Sequence, residues 1–289
     1  MIISVASGKG GTGKTTIACS LALSLKNAQF LDCDVEEPNA QIFLKPDIRE
    51  KTRAFIPVPQ VDSAKCTLCG KCREVCEYNA IAVLPKSPRG DGRVLIFQEL
   101  CHGCGACAML CPEQAIKEID RQIGDIETGD INGLDFVHGR LNIGEAMSPP
   151  LIRQVKKHID PSKIVIIDAP PGTSCPVITA VKGSDYCILV TEPTPFGLND
   201  LVLAVGALRK LAVPFGAIIN RCDLGNNKTE EYCASEKINV LMRVPFKKEI
   251  ARAYSKGVPM VEIMPELKED FERVFKNICR AVEGKKREQ

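Results

Sequence analysis

Residues 7–16, Ser7-Gly8-Lys9-Gly10-Gly11-Thr12-Gly13-Lys14-Thr15-Thr16, constrain this chain more than any other stretch. They follow the apolar run Ile2 to Ala6 and open a helical pattern from Ile17 to Leu25. Strand, glycine-rich loop and helix therefore come in that order, and Gly8, Gly13, Lys14 and Thr15 satisfy G-x-x-x-x-G-K-[ST]. The glycines let the backbone curl until successive N–H groups point at phosphate oxygens, and the helix adds its positive N-terminal end. In such a loop Lys14 reaches the β- and γ-phosphates of a nucleotide such as ATP, and the Thr15 hydroxyl holds Mg²⁺.

Fifteen cysteines stand in this chain of 289 residues, and composition decides how to read them. No apolar run approaches the roughly 20 residues that cross a bilayer. The sequence also opens directly on the strand and phosphate loop, without a charged leader and apolar segment. The expectation is a cytoplasmic protein with no membrane partner, whose cysteines ligate metal instead of pairing as disulfides. A formal net charge of +2 with both signs in balance gives no reason to expect a nucleic-acid partner.

Eight of the cysteines fall in two matching groups between Pro57-Val58-Pro59 and about Gln122, where long helical periodicity is lost. Cys66, Cys69, Cys72 and Cys76 have the spacing C-x2-C-x2-C-x3-C, and so do Cys101, Cys104, Cys107 and Cys111. The flanks repeat too, Glu77-Tyr78-Asn79-Ala80-Ile81 against Pro112-Glu113-Gln114-Ala115-Ile116, so the segment is an internal duplication. Pro88-Arg89-Gly90-Asp91-Gly92 marks a turn between the halves and Val94 to Phe97 a strand. Two-residue gaps let three thiolates converge on one cubane. Zinc is the competing ligand-type assignment; its sites usually pair C-x2-C units across a longer loop, and it leaves the duplication unexplained. His102 is read as a surface residue.

The segment resembles a bacterial two-cluster [4Fe–4S] ferredoxin over its whole length of about sixty residues. The resemblance implies one cluster on Cys66, Cys69, Cys72 and Cys111, and another on Cys101, Cys104, Cys107 and Cys76. Glu77 departs from the proline that such proteins carry after the first group, whereas Pro112 follows the second as expected.

The phosphate loop, with its second lysine, Lys9, resembles the deviant Walker A loop of the MinD superfamily of ATPases, relatives of the nitrogenase iron protein. The resemblance implies that Lys9 crosses a dimer interface to the partner's nucleotide; within one chain Lys14 already serves the phosphates. Asp32-Cys33-Asp34-Val35-Glu36-Glu37-Pro38-Asn39, at the end of a short strand, looks like the Walker A′ segment. It gives Asp34 the placing of the attacking water and Asp32 a supporting part. Ile164 to Asp168 is an apolar run closed by an acid, a strand buried on both faces. With Ala169-Pro170-Pro171-Gly172 it resembles Walker B and switch II, with Asp168 on Mg²⁺.

Further strands are read at Tyr186–Thr191, 217–221 and 240–245, and helices at 149–155 and 198–211. Asn220 and Arg221 resemble the superfamily's adenine-reading position, with Phe246 beside the base. Cys175 stands seven residues after Asp168, the offset of the cluster-binding cysteine in the nitrogenase iron protein, and is a candidate switch or bridging-cluster thiol. Cys19, Cys33, Cys187, Cys222, Cys233 and Cys279 stand singly and are mostly read as packing residues. A terminal helix places Leu267, Phe271, Val274, Phe275, Ile278 and Val282 on one face, a stripe of core width rather than a membrane surface, with fraying after Gly284.

The expected fold is an α/β P-loop NTPase with a mostly parallel sheet and helices on both faces, built from residues 1–59 and 122–289. A small α+β ferredoxin-like domain is inserted at 60–121. The expected cofactors are ATP, Mg²⁺ and two [4Fe–4S] clusters. The expected nucleotide-binding residues are Gly8, Lys9, Gly10, Gly11, Thr12, Gly13, Lys14, Thr15, Thr16, Asn220 and Arg221, with Lys9, Lys14 and Asp34 catalytic. The function expected is slow ATP hydrolysis gated by closure of a homodimer or heterodimer, controlling electron transfer from the clusters to a metalloprotein partner. An iron–sulfur or metallocluster carrier is the alternative, and a MinD-type positioning ATPase a third.

Overall fold

Apolar runs such as Ile164–Asp168 and Tyr186–Thr191 lack polar alternation, and strands of that kind belong inside a parallel sheet covered on both faces. The computed structural model, which describes residues 1–88 and 90–288, places them there. In chain order the elements are β1 (Ile2–Ala6), α1 (Lys14–Leu23), β2 (Ala28–Asp32), α2 (Ala40–Leu44), β3 (Asp47–Val61), α3 (Lys71–Glu74), β4 (Ile81–Leu84) and β5 (Arg93–Ile96). There follow α4 (Ala106–Met109), β6 (Ile116–Ile131), β7 (Leu134–Leu141), α5 (Pro149–Lys156), β8 (Ile164–Asp168), α6 (Cys175–Val181), β9 (Tyr186–Thr191) and α7 (Pro195–Lys210). The chain ends with β10 (Phe215–Asn220), α8 (Lys228–Ser235), β11 (Val240–Val244), α9 (Lys248–Tyr254), α10 (Met260–Ile263) and α11 (Glu266–Glu288). Arg89, within the expected turn, and Gln289 lie outside the described residues; α11 continues past Gly284, where fraying was expected.

The chain divides into two compact units. One holds residues 1–52, 126–140 and those from 152 onward. The nine-stranded sheet has the order β11-β10-β9-β1-β8-β2-β7-β6-β3, and β3 and β6 belong to this unit only in part. β1 lies between β8 and β9, parallel to both, and β2 lies between β8 and β7, parallel to both. The order reverses beside β1, so the carboxyl ends of β1, β2 and β8 form the crevice where an open α/β sheet binds its ligand. No element is read from the sequence between 122 and 138, yet β6 and β7 form a hairpin there. Asn132 and Gly133 turn it at φ 50° and 90°, the positive values that a two-residue turn of type I′ needs.

The core beneath the sheet explains the terminal helix. Leu267, Phe271, Val274 and Ile278 of α11 are buried with Ile17 and Leu21 of α1, and Phe30 stacks on Phe136 with centroids 6.0 Å apart. Each such side chain contributes about 1.5–3 kcal/mol by leaving water, so the stripe is used by the fold. On β7, buried His138 meets Glu127 Oε2 through Nε2 at 2.8 Å. Burial lowers the imidazole pKa against the pull of Glu127, and the buried Nδ1 has no hydrogen-bond partner.

The second unit takes residues 53–125 and 141–151, a wider span than the 60–121 read from the sequence. Long-range bonds explain the added piece: Arg121 pairs with Glu145 (Nη2 to Oε1 3.0 Å), and Asn142 donates to Ile123 O at 2.9 Å and Gln122 O at 3.2 Å. Within this unit β4 and β5 form an antiparallel pair. The sequence duplication is also one of backbone conformation. Leu68, Gly70 and Asn79 have φ of 60°, 81° and 51°, and Gly103, Gly105 and Gln114, each 35 residues later, have 65°, 76° and 48°.

Candidate nucleotide site and cysteine cavities

At the carboxyl end of β1 the chain turns into α1 through the glycine loop. Gly13 stands at φ 89° and caps α1, and a Cβ there would lie 2.4 Å from Nδ2 of Asn220. A Cβ on Gly8 would lie 2.3 Å from the Asp200 carbonyl oxygen. Gly8 therefore excludes a side chain by contact with backbone, and Gly13 by its conformation. Beside the loop is a cavity of about 380 Å³ lined by Lys9, Gly10, Gly11, Gly13, Lys14, Thr15, Thr16 and Asp34. Asn220, Arg221, Phe246 and Tyr254 also line it.

Two carboxylates reach Lys14. Its Nζ is 2.6 Å from Asp168 Oδ1 and 3.9 Å from Asp34 Oδ2. Burial lowers the ammonium's pKa, but Asp168, Asp34 and Asp32 outweigh it and hold Lys14 above its usual value. Asp32 is buried, and its two oxygens accept the N–H groups of Asp34 (3.0 Å) and Ala40 (3.1 Å), bracketing the loop between them. Burial and the nearby Asp168 push its carboxyl well above the usual range, against the pull of Lys14. Burial also pushes Asp34 up to about 6, again opposed by Lys14. Two buried oxygens here, Thr12 Oγ1 and Asp168 Oδ2, have no hydrogen-bond partner. Oxygens left this way beside a curled glycine loop fit a phosphate and the water shell of Mg²⁺.

In the second unit the eight cysteines stand around two voids. Cys66, Cys69, Cys72 and Cys111 line one; Cys101, Cys104, Cys107 and Cys76 line the other. Each void thus takes three thiols from one sequence group and the fourth from the other. Backbone N–H groups point at the sulfurs in a repeated pattern, Ala80 to Cys76 Sγ and Ala115 to Cys111 Sγ, both at 3.3 Å. Burial pushes the Cys107 thiol up to about 11 and also raises Cys72 and Cys101. Among the described residues no three His, Cys, Asp or Glu side chains converge on one ion-sized point. His102 stacks on Tyr78 beside the second void.

A family model described as the CobQ/CobB/MinD/ParA nucleotide binding domain (CbiA) matches residues 3–260. The chain belongs to this family. It is a P-loop ATPase. An uncharacterized protein of Methanocaldococcus jannaschii is 30% identical over 264 residues, covering 89% of this chain and 90% of its own length. An iron–sulfur cluster carrier protein of Pyrococcus horikoshii is 25% identical over 287 residues, covering 90% of this chain and 78% of its own. Among solved structures, the septum site-determining protein MinD of Pyrococcus horikoshii, complexed with Mg-ADP, superposes with a TM-score of 0.58 at 19% identity. That alignment covers 96% of this chain and 95% of the other, a likeness of fold.

Other residues singled out in this CobQ/CobB/MinD/ParA-family chain are placed as follows. Asn220 Nδ2 donates to Thr12 O at 2.8 Å, and its Oδ1 accepts from Arg221 N at 3.0 Å, so part of its amide supports the loop. Cys175 is exposed at the first residue of α6. Cys19, Cys33, Cys187 and Cys233 are buried, while Cys222 and Cys279 are partly buried. Sequence reasoning passed over Glu192, whose carboxylate reaches Lys9 at 2.7 Å and Arg221 at 3.0 Å. Its one local signal was its place just after a core strand at the ligand edge of the sheet.

Proposed function

We propose that the chain is an ATP-driven iron–sulfur protein in which nucleotide state controls electron transfer from two [4Fe–4S] clusters to a metalloprotein partner. The observation that carries it is the pair of cysteine quartets. A cubane is larger than an ion, so thiols set around a void with N–H groups aimed at their sulfurs suit it. Cys66, Cys69, Cys72 and Cys111 would hold one cluster and Cys101, Cys104, Cys107 and Cys76 the other; when bound, such clusters supply one-electron chemistry.

In the ATPase unit, Thr15 and Asp168 would hold Mg²⁺. Lys14 exchanges Asp168 for the β- and γ-phosphates, Asp34 orients the attacking water, and Asn220 and Arg221 border the base. Lys9 reaches the phosphates of a second protomer, identical or related, so hydrolysis is slow until two protomers close. Cys175, just after the segment that follows Asp168, moves with nucleotide state.

The name of the Pyrococcus horikoshii relative favours a second reading, a carrier that hands clusters to recipient proteins. A positioning ATPase is disfavoured, because α11 spends its apolar stripe in the core and no helix among the described residues is long and apolar enough to cross a membrane. Incubating the anaerobically purified chain with an apo-ferredoxin, with and without ATP, separates the first two. The redox reading expects the chain to keep its iron; efficient ATP-dependent transfer to the apo-protein would establish the carrier instead.

A further inference from the structure

Lys9 is already engaged within its own chain. Its Nζ lies 2.7 Å from Oε1 of Glu192, and the other oxygen, Oε2, accepts from Arg221 Nη1 at 3.0 Å. The Glu192 side chain is only 11% exposed, against 30% for Lys9 and 43% for Arg221. Its backbone is fixed as well: the carbonyl oxygen accepts from Thr194 N at 2.8 Å, and a Cβ on Gly197 of α7 would fall 2.3 Å from that oxygen. Lys9 and Arg221 line the nucleotide cavity and Glu192 does not, so one largely buried carboxylate holds, from behind, two cations that face the site.

We propose that Glu192 restrains ATP hydrolysis as the counter-ion from which Lys9 must be exchanged onto the triphosphate of a second protomer. The proposal rests on the composite-site reading of Lys9. Carboxylate and phosphate compete for the same ammonium, and a carboxylate kept from water competes better than a solvated one. Glu192 thereby sets the protein concentration at which two protomers close, and its second oxygen keeps Arg221 in place while Lys9 leaves. Arg221 needs such a hold because it sits at φ 52°, a conformation that residues other than glycine seldom adopt.

The test is sedimentation of the full chain with Mg²⁺ and a non-hydrolysable ATP analogue. Glu192→Gln keeps the shape and removes the charge. It is expected to dimerise at about tenfold lower protein concentration than the parent, the usual scale for one close charge pair. Its ATPase rate should reach half-maximum at a correspondingly lower protein concentration. Glu192→Asp, which keeps the charge but shortens the reach, should shift the same way by less, and it serves if the glutamine variant does not fold. Adding Lys9→Ala to Glu192→Gln should abolish the dimer. A Glu192→Gln chain that needs as much protein as the parent, or more, overturns the proposal while leaving the composite site intact. A parent chain that stays monomeric with the analogue, and whose hydrolysis is indifferent to Lys9→Ala, overturns the composite site and the role of Glu192 with it.

Discussion

Lys14→Ala lowers ATP affinity by at least about a hundredfold and destabilises the nucleotide-free chain. Hydrogen bonds to charged groups are worth about 1.5–3 kcal/mol each, and Lys14 would give up those it makes to two phosphates. The stability effect has a separate cause. Asp168 and Asp32 are fully buried, and Lys14 is the cation bonded to Asp168 at 2.6 Å. Breaking a buried pair from one side costs about 3–5 kcal/mol, which uptake of a proton by a carboxyl partly offsets. Titration calorimetry with ATP and urea unfolding of the apo chain read the two effects apart. Undiminished ATP affinity would sink the assignment of the loop.

The second large effect concerns which cysteines act together. Substituting Cys66 and Cys111 with Ser disables one quartet, although the two residues come from different sequence groups. Substituting Cys66 and Cys76 disables both quartets, although these two come from one group. Anaerobically purified parent chain should carry about eight irons, as two four-iron clusters require. The Cys66/Cys111 variant should keep about four and the Cys66/Cys76 variant close to none. Equal iron in the two variants would contradict the exchanged fourth ligand, and zinc in place of iron in the parent would reverse the metal assignment.

Short-range chemistry made much of this legible in the sequence. The loop from Gly8 to Thr16 packs its requirements into a few consecutive residues, because successive N–H groups must point at one ligand. The strand ending in Asp168 announced itself by continuous apolar character, and the parallel sheet around it follows from several such runs. The Asn132-Gly133 hairpin also carried a local signal, but the segment around it alternates too weakly to stand out without its neighbours. Residues 141–151 and Glu192 could not be placed in the same way. The first join the second unit through Arg121 and Glu145, 24 positions apart. The second acquires its meaning from Lys9, which meets it only after β1 and β9 pair in the sheet.

If nucleotide state controls the proposed clusters, nucleotide in the P-loop unit must change their redox state. Electron paramagnetic resonance of the dithionite-reduced chain, recorded with and without Mg-ATP, tests it most directly. ATP is expected to shift the cluster signal or its midpoint potential, and Lys14→Ala to remove the shift. Identical spectra and potentials in a chain that binds both ATP and about eight irons would contradict it.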